Sequence, residues 1–322
     1  MLRPVTLSSV GILFLLANLE LVHAQAWIPM AGDATFATSF QFVDAHGHFL
    51  EDNSKLPGYR TRANNFIFEL GYTISDRAAF NFTVPVVHVK YRGPEEPFNL
   101  PDNVLDDGTY HGAVTDLGFQ FRYNLVEEPA VITPFFTAGV PSHAYDTLGE
   151  SAPGRNFQEY RFGSYVGRQL DFLSPRAFVH GYYSYSIVRQ DVDIPLNYSS
   201  FGLELGYLLR SVSVSFLWRQ HWTHGGLSFN ELFEAPEDVF FNLDRVVRVS
   251  YKHIGAAVSF PVADDVSVFA NYVHFINGVD AHYGGGFSLG VSWTFRRREF
   301  PIVFSGNAPG NAVATQLNAM HH

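Results

Sequence analysis

Apolar and polar residues alternate along most of this chain. From Asp33 onward the alternation recurs in segments of about ten to fourteen residues, longer than the roughly five or six of a typical soluble strand. A strand that crosses a bilayer at a tilt needs about nine to eleven residues. The pattern therefore predicts an all-β protein whose strands are long enough to span a membrane.

Twelve such segments can be distinguished, and an even number suits a single-chain antiparallel transmembrane β-barrel. The predicted strands are roughly 33–46, 59–74, 78–92, 112–124, 129–142, 157–169, 175–190, 197–208, 211–223, 245–260, 265–276 and 283–295. Their connections alternate between short and long. In barrels with periplasmic termini, the short connections face the periplasm and the long ones face outward.

The alternation also predicts which side chains face lipid. In the fourth segment, Phe119 and Phe121 share one side and Gln120 and Arg122 share the other. An arginine that faced lipid at mid-membrane would cost about 2–4 kcal/mol, so the polar set is expected inside. The predicted lumen-lining residues are Glu69, Asp116, Gln120, Arg122, Glu159, Arg161, Glu204, Arg219, Arg248 and Lys252.

Twelve strands should enclose a narrow lumen, because eight nearly fill themselves and sixteen leave a water channel. The predicted interior carries acids and bases in nearly equal number, so its ion preference stays open. Charges that face one another there can act on solutes or simply stabilise the wall.

The first 24 residues resemble a secretory signal peptide. Arg3 precedes the apolar run 10–17, and small residues suited to cleavage end at Ala24 or Ala26. The run is too short to span a bilayer as a helix. The predicted organisation is a signal peptide over 1–24, a barrel over 25–295 and a flexible polar tail over 296–322.

Composition supports a membrane barrel and excludes other classes. Charged residues make up 16% of the chain, against about 25% in an average soluble domain. After position 24 no run of about 18 apolar residues predicts a membrane helix. There is no cysteine, and the net charge of −10 argues against nucleic acid as a partner.

Several short motifs resemble the outer-membrane β-barrel family linked to the meta-pathway of phenol degradation. They are Gly71–Arg77 leading into Phe82–Pro85, then Gly112–Leu117, Gly139–Ser142 and the terminal Gly290–Phe295. The resemblance covers roughly residues 60–295 and implies a porin-like transporter that takes up hydrophobic or aromatic compounds. It supplies no binding residue, because its motifs consist of turn and wall residues. Barrels of this family usually end at the terminal aromatic residue, whereas this chain continues to His322.

These observations predict a channel or transporter in the outer membrane for small organic solutes, hydrophobic or aromatic ones included. No cofactor and no enzymatic activity are predicted. The expected partners are membrane lipid, lipopolysaccharide, the solute and the outer-membrane assembly machinery. The alternative is a non-conducting barrel whose acidic loops bind divalent metal or lipopolysaccharide. Conductance would support the first, and a sealed lumen would favour the second.

Acidic residues and histidines gather in the predicted outer loops. These loops hold more than half of the 31 acidic residues, against only Lys55 and Arg155. Loops this acidic either concentrate cations at the mouth of the barrel or form an ordinary solvated surface. Weak candidates for a metal site are His46, His48, His221 and His224.

Two further interpretations of the sequence compete with the channel. An outer-membrane hydrolase would use His221 or His224 with Ser228, although the chain lacks the usual spacing of such enzymes. A soluble β-sandwich would instead bury Phe66 and Phe287 in its core.

Overall fold

The computed structural model describes residues 25–93, 104–189 and 193–296. The predicted signal peptide and the tail beyond Arg296 lie outside the described residues. Most of the described chain is strand, in the order β1 (Ala34–Phe49), β2 (Lys55–Ser75), β3 (Ala78–Arg92), β4 (His111–Val114), β5 (Asp116–Tyr123), β6 (Val131–Pro141), β7 (Glu159–Gln169), β8 (Ala177–Val188), β9 (Tyr198–Leu209), β10 (Val212–Thr223), β11 (Ser250–Ala263), β12 (Val266–Val279) and β13 (Ala281–Phe295).

The strands form one closed antiparallel barrel. Neighbouring strands pair in chain order, and β1 pairs with both β2 and β13, which closes the sheet on itself. β4 and β5 both pair with β3 and form one strand of the wall, interrupted at Thr115. The wall therefore has twelve strands, as predicted.

The interruption at Thr115 lies opposite a proline. Pro85 of β3 has no N–H to donate, and its carbonyl accepts from the Thr115 amide at 3.0 Å. A proline inside a sheet removes a ladder hydrogen bond. Pairing resumes at Thr83 with Gly118 on one side and Val86 with Val114 on the other.

The two faces of the wall have opposite polarity. Phe66 and Phe287, which a soluble sandwich would bury, are each 45% exposed on the outside of the barrel. Phe121 is 42% exposed, whereas its neighbour Arg122 is only 8% exposed. An apolar surface that encircles the whole wall is unfavourable in water and suits a hydrocarbon surrounding. The described structure therefore rules out the sandwich.

One end of the barrel carries short turns and the other carries the longer connections. The turn end also holds the start of β1 and the end of β13. At the loop end, the connections are L1 (50–54), L2 (93–110), L3 (142–158), L4 (189–197), L5 (224–249) and L6, which is Asp280 alone. The predicted loops near 47–58 and 277–282 are mostly strand, because β1, β2, β12 and β13 keep pairing up to Phe49, Lys55, Val279 and Ala281.

L5 contains the helices of the described chain: α1 (Phe229–Glu234), α2 (Glu237–Phe240) and α3 (Leu243–Val246). No helix among the described residues is long and apolar enough to cross a membrane.

Candidate functional site in the barrel interior

The loop end of the lumen is filled by L5, which folds inward. Ser228 begins α1 with a capping box in which it exchanges hydrogen bonds with Glu231, and this turns Phe229 and Leu232 toward the interior. They join a buried apolar cluster whose members come from L3, L4, L5 and the wall: Phe49, Phe157, Val188, Leu196, Tyr198, Phe229, Leu232, Leu243, Val246, Val247, Val249, Tyr251, Phe275 and Ala281. We call the part of L5 that joins this cluster the plug. Burying each large side chain contributes about 1.5–3 kcal/mol, so the plug is held chiefly by apolar contacts.

L3 is held against the wall by polar groups. The Tyr145 hydroxyl donates to Asp116 Oδ1 at 2.7 Å, and Arg155 donates to Glu159 Oε2 at 3.2 Å. Glu159 also receives Arg161 at 3.4 Å and the hydroxyl of Tyr198. Three predicted lumen residues, Asp116, Glu159 and Arg161, thus anchor a loop or pair with one another.

At the turn end, the segment just before β1 enters the lumen. Arg122 donates to the carbonyl of Gln25 at 2.8 Å, and Thr133 donates to the carbonyl of Ala26 at 2.6 Å. Ala26 is fully buried. The ring of Trp27 lies 6.4 Å from that of Phe178, edge to face. Residues 25–27 therefore close this end from within.

The remaining predicted lumen residues on β2, β5, β9 and β10 face the interior between the two closures. Glu69 accepts from Asn81 at 2.7 Å. Gln120 donates to the hydroxyl of Tyr165 at 3.2 Å. Glu204 lies 3.8 Å from His180, and the guanidinium of Arg219 lies 6.0 Å from the ring centroid of Tyr182.

Two predicted lumen residues need correction. Lys252 lies between Tyr251 and His253, which are both buried, so its side chain is on the opposite face of β11. The prediction placed Lys252 inside because it is charged, but β11 alternates without a break there, since the extra residue at the irregularity beside it is Ile276 of β12. Arg248 precedes β11 and lies at the rim, where it pairs with Asp280 at 3.3 Å and with Glu51.

The structure separates the four histidines considered as metal ligands. His46 is exposed beside Asp44, while His48 is buried 4.6 Å from the ring of His282. His221 stacks against Tyr251, and His224 contacts Ser199 at 2.7 Å. Within the described ranges, no three acidic or histidine side chains are arranged to hold a metal ion. Ser228, the serine of the hydrolase hypothesis, contacts Glu231 as a helix cap instead.

A cavity of about 390 Å³ lies beside the turn-end closure. Trp27 and Phe178 supply aromatic faces, Glu204 supplies a carboxylate, and Ser213 and Ser259 supply hydroxyls from paired strands. Six of the twelve lining residues are polar or charged, Gln169 and Arg176 among them, so the cavity offers hydrogen-bond partners beside its aromatic faces.

The sequence interpretation did not identify Trp27, Phe229 or Leu232 as residues that close the lumen. Ser228 followed by Glu231, three residues later and ahead of an apolar pair, is a recognisable helix start. No comparable signal marks residues 25–27, because their environment depends on strands more than 90 residues away.

Comparison with known proteins gives the fold. No family model matches the chain, and no curated protein sequence matches it. The resemblance to the phenol-degradation family therefore stays a prediction.

Two solved structures share the architecture. An outer-membrane channel from Pseudomonas putida F1 is 12% identical, with a TM-score of 0.67 over 86% of this chain and 100% of its own. The translocator domain of the autotransporter NalP from Neisseria meningitidis is 11% identical, with a TM-score of 0.52 over 83% of this chain and 90% of its own. The chain thus has the fold of an outer-membrane β-barrel.

Proposed function

We propose that this protein is an outer-membrane channel that passes small organic solutes, hydrophobic and aromatic ones included. The observation that carries the proposal is a closed wall, apolar outside and polar within, whose two obstructions are a loop and the segment that precedes β1. L5 and residues 25–27 can move without breaking the strand ladder that forms the wall. In this proposal the loop end faces the cell exterior, and membrane lipid covers the apolar outer face of the wall. Insertion into the membrane depends on the outer-membrane assembly machinery.

The cavity beside Trp27 supports the solute class. Its aromatic faces suit a flat apolar body, and Glu204, Ser213 and Ser259 offer hydrogen-bond partners for one polar group. A solute of this kind would meet the cavity after passing the loop end and before leaving through the turn end.

The proposal is tested by single-channel recording in planar bilayers. The double variant Phe229→Ala and Leu232→Ala removes two large side chains from the plug while leaving every wall strand unchanged. We expect its mean conductance and open fraction to exceed those of the wild type. Phe233→Ala is the matched control, because Phe233 lies on the same helix but is exposed, and it should conduct like the wild type.

The dense apolar plug also favours a second candidate, the non-conducting barrel. In that case neither the wild type nor the plug variant conducts, and liposomes containing either one do not swell with small solutes. The acidic loops would then be the working surface, with binding of calcium or of vesicles that contain lipopolysaccharide as the measurement.

A further inference from the structure

Three acidic side chains from three different loops lie near one another at the loop end of the barrel, since the charges of two of them act on the third. Asp106 belongs to L2, Glu150 to L3 and Asp244 to α3 of L5. Glu150 is 1% exposed and Asp244 is 2% exposed, so neither carboxyl group is solvated. Close burial of several carboxyl groups is unfavourable when they are all ionised.

The segment around Glu150 is the junction that ties these loops together. Leu105 of L2 donates its amide to the Leu148 carbonyl at 3.0 Å, and the Gly149 amide donates to the carbonyl of Phe241 in L5, also at 3.0 Å. Asp106 accepts from the backbone amides of Glu150 and Ser151 at 3.0 and 2.8 Å. We call residues 148–151 with Asp106 and Asp244 the loop junction.

The backbone turn at this junction leaves no room for adjustment. Gly149 has φ of +95°, and a Cβ there would lie 2.9 Å from Asp106 Oδ2. A residue with a side chain would fit neither the backbone angle nor the space at position 149, so the contact between L2 and L3 requires glycine there.

Glu150 has no hydrogen-bond partner for either side-chain oxygen among the described residues. Burial raises its pKa well above the usual value, and the nearby charges of Asp106 and Asp244 raise it further. Burial also raises the pKa of Asp106, which its backbone donors and the charge of His111 partly oppose. Arg245, next to Asp244, donates to Asn242 at 3.5 Å and lies over the ring of Phe157. Glu95, Glu96 and Asp102 of L2 lie outside the described residues.

We propose that the loop junction is a proton-operated latch, which keeps L2, L3 and L5 together over the lumen while Glu150 is protonated and releases them when Glu150 ionises. An isolated ionised carboxylate costs several kcal/mol when buried, so the closed junction binds a proton that the open one does not need. The effect of the latch on solute passage rests on the proposed channel function, whereas the movement of the loops is independent of it.

The direction of the pH dependence follows from the raised pKa of Glu150. The closed state binds the proton more tightly than the open state, in which Glu150 is solvated. Closure is therefore most stable below the ordinary glutamate pKa and weakens as the pH rises through that value toward the raised one.

The chain has no cysteine, so single thiols can report on the junction in the full-length protein in membranes. Ala152→Cys places a thiol at a fully buried position two residues from Glu150, and Ser54→Cys places one at an exposed position in L1. The rate at which a small maleimide labels Ala152→Cys is divided by the rate at which it labels Ser54→Cys. This ratio cancels the intrinsic pH dependence of thiol reactivity. We expect this ratio to rise by roughly tenfold or more between about pH 4 and about pH 8, because ionisation of Glu150 opens the junction.

Glu150→Gln in the Ala152→Cys background should keep the ratio low at every pH, because the amide has the shape of the protonated acid and no charge. Glu234→Gln, an exposed position in L5, should leave the rise intact. Hydrogen exchange at residues 149–151 of the unsubstituted protein, corrected for intrinsic rates, should show the same trend.

A ratio that stays flat in the parent, or that rises equally with Glu150→Gln, overturns the latch. Conductance measured on the same samples separates the two proposals. A pH-dependent labelling ratio without conductance supports the latch and contradicts the channel. A flat ratio with conductance contradicts the latch and supports the channel.

Discussion

Single residues show most directly how the period of two divides this wall. Phe121 and Arg122 are consecutive, yet one faces outward and the other donates to the carbonyl of Gln25 inside the lumen. The outward and inward directions followed from alternation alone. The partner of Arg122 did not, since Gln25 is 97 residues away along the chain.

Lys252 shows where residue-scale reasoning failed. Tyr251, His253 and Ala257 are all buried, so β11 alternates without a break, and the extra residue beside Lys252 belongs to β12. Long charged side chains near the end of a membrane strand can reach water, so the charge of Lys252 does not by itself place it inside.

Replacing Trp27 tests the turn-end closure. In Trp27→Ala the ring contacts with Phe178 and His180 are lost. Loss of roughly 2 kcal/mol of apolar burial shifts the ratio of docked to undocked segment by about thirtyfold. We expect a larger open fraction in single-channel recordings.

Phe172→Ala is the control for that variant. Phe172 lies in a turn at the same end and is 74% exposed, so its loss should leave the open fraction unchanged. Equal behaviour of the two variants would contradict a closing role for residues 25–27.

At the scale of elements, strands were easier to predict than their connections. The predicted range 78–92 coincides with β3, and most other strands differ from prediction by one to three residues at each end. The largest difference is at β11, which was predicted to begin at 245 and begins at Ser250, because residues 243–246 form α3. A short apolar run suits a strand or a buried helix equally, so pattern alone cannot decide between them.

The helix α1 gives a prediction at this scale. Ser228→Ala removes the side-chain acceptor for the Glu231 amide, which costs about 1 kcal/mol at a typical helix start. Amides of residues 229–246 should exchange with solvent about fivefold faster, while those of the wall strands keep their rates.

Ser211→Ala provides the comparison for that experiment. Ser211 is exposed in the turn between β9 and β10, so exchange in L5 should not respond to its loss. Faster exchange in the wall of Ser228→Ala would show that α1 is not an independent plug.

For the whole molecule, the decisive property is the apolar outer band. Leu70→Arg places a charge at the centre of the outward apolar residues of β2, which run from Phe66 to Ile74, and should lower the free energy of unfolding by about 2–4 kcal/mol in lipid. Ile74→Arg, on the same strand beside its final residue, should lower it by no more than about 1 kcal/mol. Urea titration in vesicles measures both values.

Equal losses for these two variants would contradict a membrane that spans the middle of the wall. A soluble barrel, by contrast, would tolerate both substitutions, because an exposed arginine is well solvated at either position.

The sequence by itself determined the strand number, most strand limits and the direction of most wall side chains. These depend on alternation between immediate neighbours, which the chain carries locally. Only the tertiary structure decided that L5 and residues 25–27 enter the lumen, and that Asp106 and Asp244 lie close enough to Glu150 for their charges to act on it. Those contacts join segments far apart in sequence, and they exist only because β1 pairs with β13 and brings the ends of all the strands into a ring.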